Sequence, residues 1–288
     1  MKLKDTKELF QKELNGLYDN EEIDNFFYLL IESYLGLKRL DLSLNPEVLY
    51  SKEVQKPIIE ALTALKEQKP IQYILGETDF FGLTFKVNPN VLIPRPETEE
   101  LVAWIIHQTS KNKRQPINIL DIGTGSGCIA VSLAKKLPNA NIFALDVSKK
   151  ALQTAKLNAK LNDVTIELIE GDILNLETSD KAFRNLKFDI VVSNPPYVRE
   201  LEKEHMKSNV LHNEPHLALF VNNEDPLQFY KAIVQFSVDK LLSKGSLFFE
   251  INEYLGNQMI QLLDEYHFRD IQLKQDIFKK GRMIKATK

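Results

Sequence analysis

The residues Asn194, Pro195, Pro196 and Tyr197 follow an apolar run, Ile190–Ser193, that reads as a buried strand. Each proline fixes its own φ and lacks an N–H, so the chain leaves the strand through a stiff corner with no competing donors. Such a corner offers two hydrogen-bond acceptors at a fixed separation, the Asn194 side-chain oxygen and the Pro195 carbonyl. Two fixed acceptors suit a planar NH2 group, and an aromatic ring such as Tyr197 can stack on a flat conjugated system or exclude water. The nitrogen of an amide or aromatic amine is a poor nucleophile because its lone pair is delocalised. Orienting both N–H bonds aims that lone pair at an electrophile, and positioning of this kind contributes up to about 7–11 kcal/mol. Adenine N6, cytosine N4 and the glutamine side-chain amide all satisfy the requirement. Taken alone, the four residues read equally as a proline-stiffened loop.

A second group of residues decides the context. Residues 117–137, INILDIGTGSGCIAVSLAKKL, run from a strand through Gly123, Thr124, Gly125, Ser126 and Gly127 into an amphipathic helix, with Asp121 just before the glycines. Glycines there let the backbone approach a ligand, and the helix N-terminal amides are free to donate. The next strand ends in Asp146, about 20 residues on, where a carboxylate in a dinucleotide-type fold accepts from both ribose hydroxyls. A third strand leads to Asp172 and Ile173. The G-x-G-x-G spacing departs from the G-x-G-x-x-G of nicotinamide and flavin sites, and no Lys-Ser/Thr pair follows to make a P-loop. The set resembles the S-adenosylmethionine-dependent methyltransferases of the Rossmann-like class. That resemblance puts Asp121 and the glycine turn near the methionine part, Asp146 on the ribose and Asp172 at the adenine amino group. Cys128, next to the turn, reads as a small packed residue rather than a catalyst.

These residues need a scaffold of alternating strands and helices. Strands are expected over 117–121, 141–146, 165–169, 188–193, 245–251, 270–277 and 282–286, and helices over 127–137, 148–161, 226–243 and 255–265. Alternation of this type specifies a doubly wound, mainly parallel sheet. Residues 1 to about 70 read instead as helices. Asp5 with Glu8 and Asp19 with Glu22 have cap-and-return spacing, Ile23, Phe26, Phe27, Leu30, Ile31 and Tyr34 recur at helical intervals as core, and Pro57 suits a first turn. Between the two regions, IQYILGETDFFGLTFKV reads as a hairpin with Gly76 and Gly82 as punctuation. The expected division is therefore a helical domain over 1–72, a hairpin linker over 73–90 and an α/β domain over 91–288.

Composition excludes other classes. The 288 residues are 43% hydrophobic and 27% charged, as in ordinary water-soluble domains. No window approaches the roughly 18 uninterrupted apolar residues of a membrane span, and the charged N-terminus is unlike a signal peptide, so a cytoplasmic location is expected. One cysteine precludes an intrachain disulfide; the five scattered histidines have no zinc spacing, and no metal is expected. Lys plus Arg number 37 against 40 Asp plus Glu, and residues 1–70 carry no basic excess, which disfavours a substrate rich in phosphates.

The segments IPRPETE, DIGTGSG, SNPPYV and NEPHLALF together, with PIQYILGETDFFGLTFKV before them, resemble the PrmC (HemK) family of glutamine-N5 methyltransferases, which modify peptide chain release factors. The resemblance covers nearly the whole chain. It implies a class I S-adenosylmethionine-dependent domain preceded by a small helical substrate-recognition domain. The substrate would be the glutamine of the Gly-Gly-Gln loop of a class 1 release factor, held by Asn194 and Pro195 beside Pro196 and Tyr197, and the enzyme a monomer with no direct nucleic-acid substrate. An N6-adenine or other exocyclic-amino methyltransferase of RNA or DNA is the alternative. Arg95, Glu97 and Thr98 either close the cofactor site near its methionine end or cap a helix. Phe80 and Phe81 read as packing, and Glu214-Pro215 as shaping the loop after the corner.

Overall fold

A computed structural model of the chain describes residues 2–45, 47–109, 116–175, 183 and 185–288. They form two compact units, Met1–Gly76 with Lys207–Asn213, and Glu77–Met206 with Glu214–Lys288.

The first unit contains helices α1 (Leu3–Leu14), α2 (Asn20–Leu35), α3 (Arg39–Leu44), α4 (Lys52–Lys66) and α5 (Ile71–Leu75), with α9 (Ser208–Asn213). The stripe on α2 is core: Ile23, Phe27, Leu30 and Ile31 are buried with Phe10 and Leu14 of α1 and Ile58 and Leu65 of α4, while Tyr34 packs at its margin. Asp19 caps α2, accepting from Glu22 N at 2.8 Å. Asp5 caps nothing, because α1 begins two residues earlier at Leu3, whose N–H donates to Val48 O. Pro57 lies inside α4 rather than in its first turn, since the helix starts at Lys52. Lys207–Asn213 joins this unit through Asn213 Nδ2, which donates to Gln68 O at 3.2 Å.

The second unit opens with the antiparallel hairpin β1 (Glu77–Phe80) and β2 (Leu83–Lys86). It then runs through α6 (Pro96–Thr109), β3 (Asn118–Ile122), α7 (Cys128–Lys136), β4 (Asn141–Asp146), α8 (Lys149–Leu161), β5 (Glu167–Glu170) and β6 (Phe188–Ser193). The short strands β7 (Val198–Arg199) and β8 (Phe220–Val221) flank a 3-10 turn, Glu200–His205, and helix α10 (His216–Leu219). Helix α11 (Gln228–Lys240), β9 (Leu241–Glu250), α12 (Gly256–Glu265), β10 (Arg269–Gln275) and β11 (Gly281–Thr287) complete it.

Seven strands make one sheet in the order β10-β11-β9-β6-β3-β4-β5, in which β3, β4, β5, β6 and β9 are parallel and β11 runs antiparallel to both its neighbours. The central strands are continuous apolar runs because both faces are covered, and successive side chains enter opposite cores. Leu120, Phe143, Leu145, Val191, Leu247 and Phe249 pack with α11 and α12. Ile119, Ile142, Ala144, Ile190, Val192 and Phe248 pack with α6, α7 and α8. The chain reverses its direction of progress across the sheet at β3, with β4 on one side and β6 on the other. Ligands of such sheets bind in the crevice outside the strand carboxyl ends at this point.

The hairpin groups with this unit, which begins at Glu77. Phe80 and Phe85 are buried in the core that holds Leu101 and Val102, 5.9 Å apart edge to face. Helix α8 grips β2 from outside: Asn158 Oδ1 accepts from Lys86 N at 2.7 Å, its Nδ2 donates to Lys86 O at 2.9 Å, and Asn162 Nδ2 donates to Thr84 O at 2.9 Å.

Candidate active site

A cavity of about 270 Å³ opens at the carboxyl ends of β3, β4 and β6. The glycine turn forms one wall. Gly123 N and Thr124 N both donate to Leu145 O, at 2.8 and 3.0 Å, which fastens the turn to β4. Gly123, Thr124, Gly125 and Ser126 line the cavity. Gly125 has φ +55°, and a Cβ there would meet nothing within 4 Å, so backbone conformation and not crowding requires the glycine. Gly127 faces the other way: at φ +80° a Cβ would stand 3.0 Å from Ala155 Cβ, so this glycine serves the packing of α7 on α8.

The three acids have separate places. Asp146 lines the cavity, its Oδ2 accepting from Gly125 N and its Oδ1 from Ser148 N, both at 2.8 Å. Burial pushes its carboxyl upward, opposed by those backbone donors. Each oxygen has a further lone pair, so the carboxylate can still accept from two hydroxyls. Asp172 and Ile173 also line the cavity, with Asp172 Oδ1 accepting from Leu174 N at 2.9 Å. Asp121 lies behind the turn instead of on the wall. It is 1% exposed, accepts from Thr124 Oγ1 at 2.6 Å, and burial pushes its carboxyl up to about 7.

Asn194, Pro195 and Pro196 also line the cavity, together with Arg95 and Thr98. Tyr197 does not line the cavity; its ring packs against the core shared with α11 and α12, and its hydroxyl donates to Glu250 Oε1 at 3.2 Å. Thr98 Oγ1 donates to Glu250 Oε2 at 2.6 Å and accepts from Asn194 Nδ2 at 3.3 Å. Glu250, the last residue of β9, is 2% exposed, and its carboxyl is pushed up by burial against the pull of the two hydroxyls. Arg95 Nη2 donates to Glu214 Oε1 at 2.6 Å, and Ile93 N to Glu214 Oε2 at 3.2 Å. Glu214 thereby ties the segment before α6 to the loop before α10.

The remaining walls are mostly apolar, with Ile129, Leu145, Val147, Leu217, Phe229 and Ile233 beside the polar Asn90, Ser148 and Ser193. Cys128 lines the cavity with its thiol pushed up to about 12 by burial, so it is neutral and not a thiolate nucleophile. Phe80 is in the core, and Phe81 packs on it with Lys136 over its ring. An apolar slot with one carboxylate at each of two strand ends fits a nucleoside joined to a short charged chain, and among the described residues no acid, His or Cys cluster could hold a metal ion. Sequence reasoning missed Glu250 and Asn158. The signal for the first was present, an acid closing the apolar run SLFFE at a strand carboxyl end, as Asp146 closes NIFALD.

Two family models match the chain: the PrmC N-terminal domain over residues 8–76 and the Methyltransferase small domain over 103–219. The release factor glutamine methyltransferase of Flavobacterium psychrophilum is 52% identical over 288 residues, covering 100% of this chain and 99% of that one. The protein of that name from Bacteroides thetaiotaomicron is 40% identical, covering 96% and 97%. Among solved structures, a T. Thermophilus 16S rRNA methyltransferase in complex with AdoMet and guanosine superposes with a TM-score of 0.53 at 19% identity, covering 74% of this chain and 49% of that one. That last likeness shows the class I methyltransferase fold; the sequence identity to the curated relatives shows that the chain belongs to the release factor glutamine methyltransferase family.

Proposed function

We propose that the protein transfers a methyl group from S-adenosylmethionine to the side-chain amide nitrogen, N5, of the glutamine in the Gly-Gly-Gln motif of class 1 peptide chain release factors. The observation that carries this reading is the presence of Asn194 and Pro195 on the wall of the same cavity that the glycine turn, Asp146 and Asp172 line. When bound, S-adenosylmethionine supplies an electrophilic sulfonium methyl. The turn and Asp172 would hold its two ends and Asp146 its ribose. Asn194 Oδ1 and the Pro195 carbonyl would accept from the substrate NH2 and orient its lone pair, while the apolar walls exclude water.

Residues 1–72 would dock the release factor, and the enzyme would work as a cytoplasmic monomer. The absence of a basic excess supports a protein substrate over a nucleic acid. Transfer of labelled methyl from S-adenosylmethionine to a purified class 1 release factor, with mass mapping of the modified residue, tests the proposal. Modification of the motif glutamine is expected. Labelling of RNA or DNA with none on the release factor would overturn it.

A further inference from the structure

Asn194 has two faces of nearly equal shape, an acceptor oxygen and a donor NH2, and only the oxygen serves an incoming NH2 group. Nothing in the proline corner itself decides which face is presented. The decision lies one and two residues deeper. Thr98 has a single hydroxyl proton, and at 2.6 Å from Glu250 Oε2 that proton goes to the carboxylate, which when ionised only accepts. Thr98 Oγ1 is then left with lone pairs, so it takes Asn194 Nδ2, at 3.3 Å, and repels Oδ1. Tyr197 gives its one hydroxyl proton to the other carboxylate oxygen at 3.2 Å. Glu250 does not line the cavity.

We infer that Glu250 is a positioning residue for methyl transfer: acting through Thr98, its acceptor-only carboxylate fixes the hydrogen-bond polarity that turns the Asn194 oxygen toward the substrate amide. This rests on the reading of Asn194 as the substrate acceptor. Replacing the carboxylate by an amide or a protonated acid supplies a donor to Thr98, which can then give its own proton to Asn194 Oδ1. The flipped amide sets NH2 against NH2. The groups facing Glu250 are Thr98 and Glu97 of α6, Tyr197 after β6, Tyr230 of α11, Arg282 of β11 and Cys128 of α7. Burial raises the Glu250 carboxyl while the Thr98 and Tyr197 hydroxyls and Arg282 hold it down.

The test compares full-length variants by kcat and KM for release factor, binding of S-adenosylhomocysteine, and thermal unfolding. Glu250→Gln should lower kcat about a hundredfold, the cost of a misdirected reacting group, with cofactor-product binding and folding kept. Thr98→Val should do the same, and Thr98→Ser, which keeps the hydroxyl, should restore parental turnover. A role in packing alone would reduce turnover whatever residue occupies position 194. Orientation requires an amide there, so in an Asn194→Asp background, where both side-chain oxygens accept, Glu250→Gln should cost nothing or raise kcat. Parental kcat in a folded Glu250→Gln variant, or an equal loss in both backgrounds, overturns the inference. Should Glu250→Gln fail to fold, parental turnover in Thr98→Val overturns it instead. Full activity in Asn194→Ala would show that the reading of Asn194 has failed, whereas loss there with retention in Glu250→Gln and Thr98→Val refutes this inference alone.

Discussion

At the glycine turn, the fastenings join near neighbours along the chain: Thr124 to Asp121, three positions apart, and Gly125 to Asp146, twenty-one apart. At the proline corner, Asn194 is fastened to Thr98 across 96 positions and Tyr197 to Glu250 across 53. The first end of the cavity is built by a strand, a turn and the next strand, so its shape follows from short-range chain geometry. The second is assembled only when α6, β6 and β9 have come together. A defect at the first should therefore appear in cofactor binding and stability, and a defect at the second in turnover.

The largest expected effect is at the corner. Asn194→Ala removes the proposed substrate acceptor and should lower kcat about a thousandfold, equivalent to about 4 kcal/mol, with a smaller loss in cofactor binding. Isothermal titration with S-adenosylhomocysteine beside single-turnover kinetics separates the two, and equal losses would erase the contrast between the ends. Next comes the pH response of the turn. Burial raises the Asp121 carboxyl from the ordinary aspartate range to about 7, so the folded state binds the proton more tightly than the unfolded chain. Its favourable contribution is complete below about pH 4 and is lost as pH rises through about 7, a change on the order of 4 kcal/mol. Denaturant midpoints should show that decline in the parent, and Asp121→Asn should flatten it; an unchanged slope would mean the carboxyl titrates normally.

A smaller effect is expected where the turn meets α8. Gly127→Ala forces a side chain into positive φ and against Ala155, and should cost about 2 kcal/mol in a thermal or chemical melt. The smallest concerns Asp146→Ala, which removes the proposed acceptor for two hydroxyls and should weaken S-adenosylhomocysteine binding about tenfold while leaving kcat at saturation close to parental. A fall in kcat with affinity unchanged would reverse the assignment of roles between the two ends.

The same contrast explains what could be read from the chain alone. The glycines, Asp146, Asp172 and the Asn-Pro-Pro-Tyr corner announce themselves through local rules: backbone freedom, an acid at a strand end, prolines after an apolar run. Ile119 and Leu120, or Phe248 and Phe249, look alike in sequence, yet enter opposite cores because both faces of a parallel sheet are covered. Tyr197 read as a cavity residue because motifs give order and not direction; its ring turns inward to meet Glu250. Gly127 read as part of the ligand turn for the same reason. Glu250, Thr98 with Asn194, and the grouping of Lys207–Asn213 with the first unit depend on contacts between distant segments, which leave no periodic or compositional trace. Pro57 has a more ordinary explanation: a proline suits a first turn, but SKEVQKP also offers Ser51, a favoured N-cap residue, and the helix starts after it at Lys52.

The double grip of Asn158 on Lys86 has a consequence for self-association. An amide side chain that takes both the N–H and the C=O of one residue imitates the adjacent strand of a sheet, so helix α8 stands in for a third strand beside β2. At that residue the ribbon offers no open valence on which another polypeptide could begin to zip.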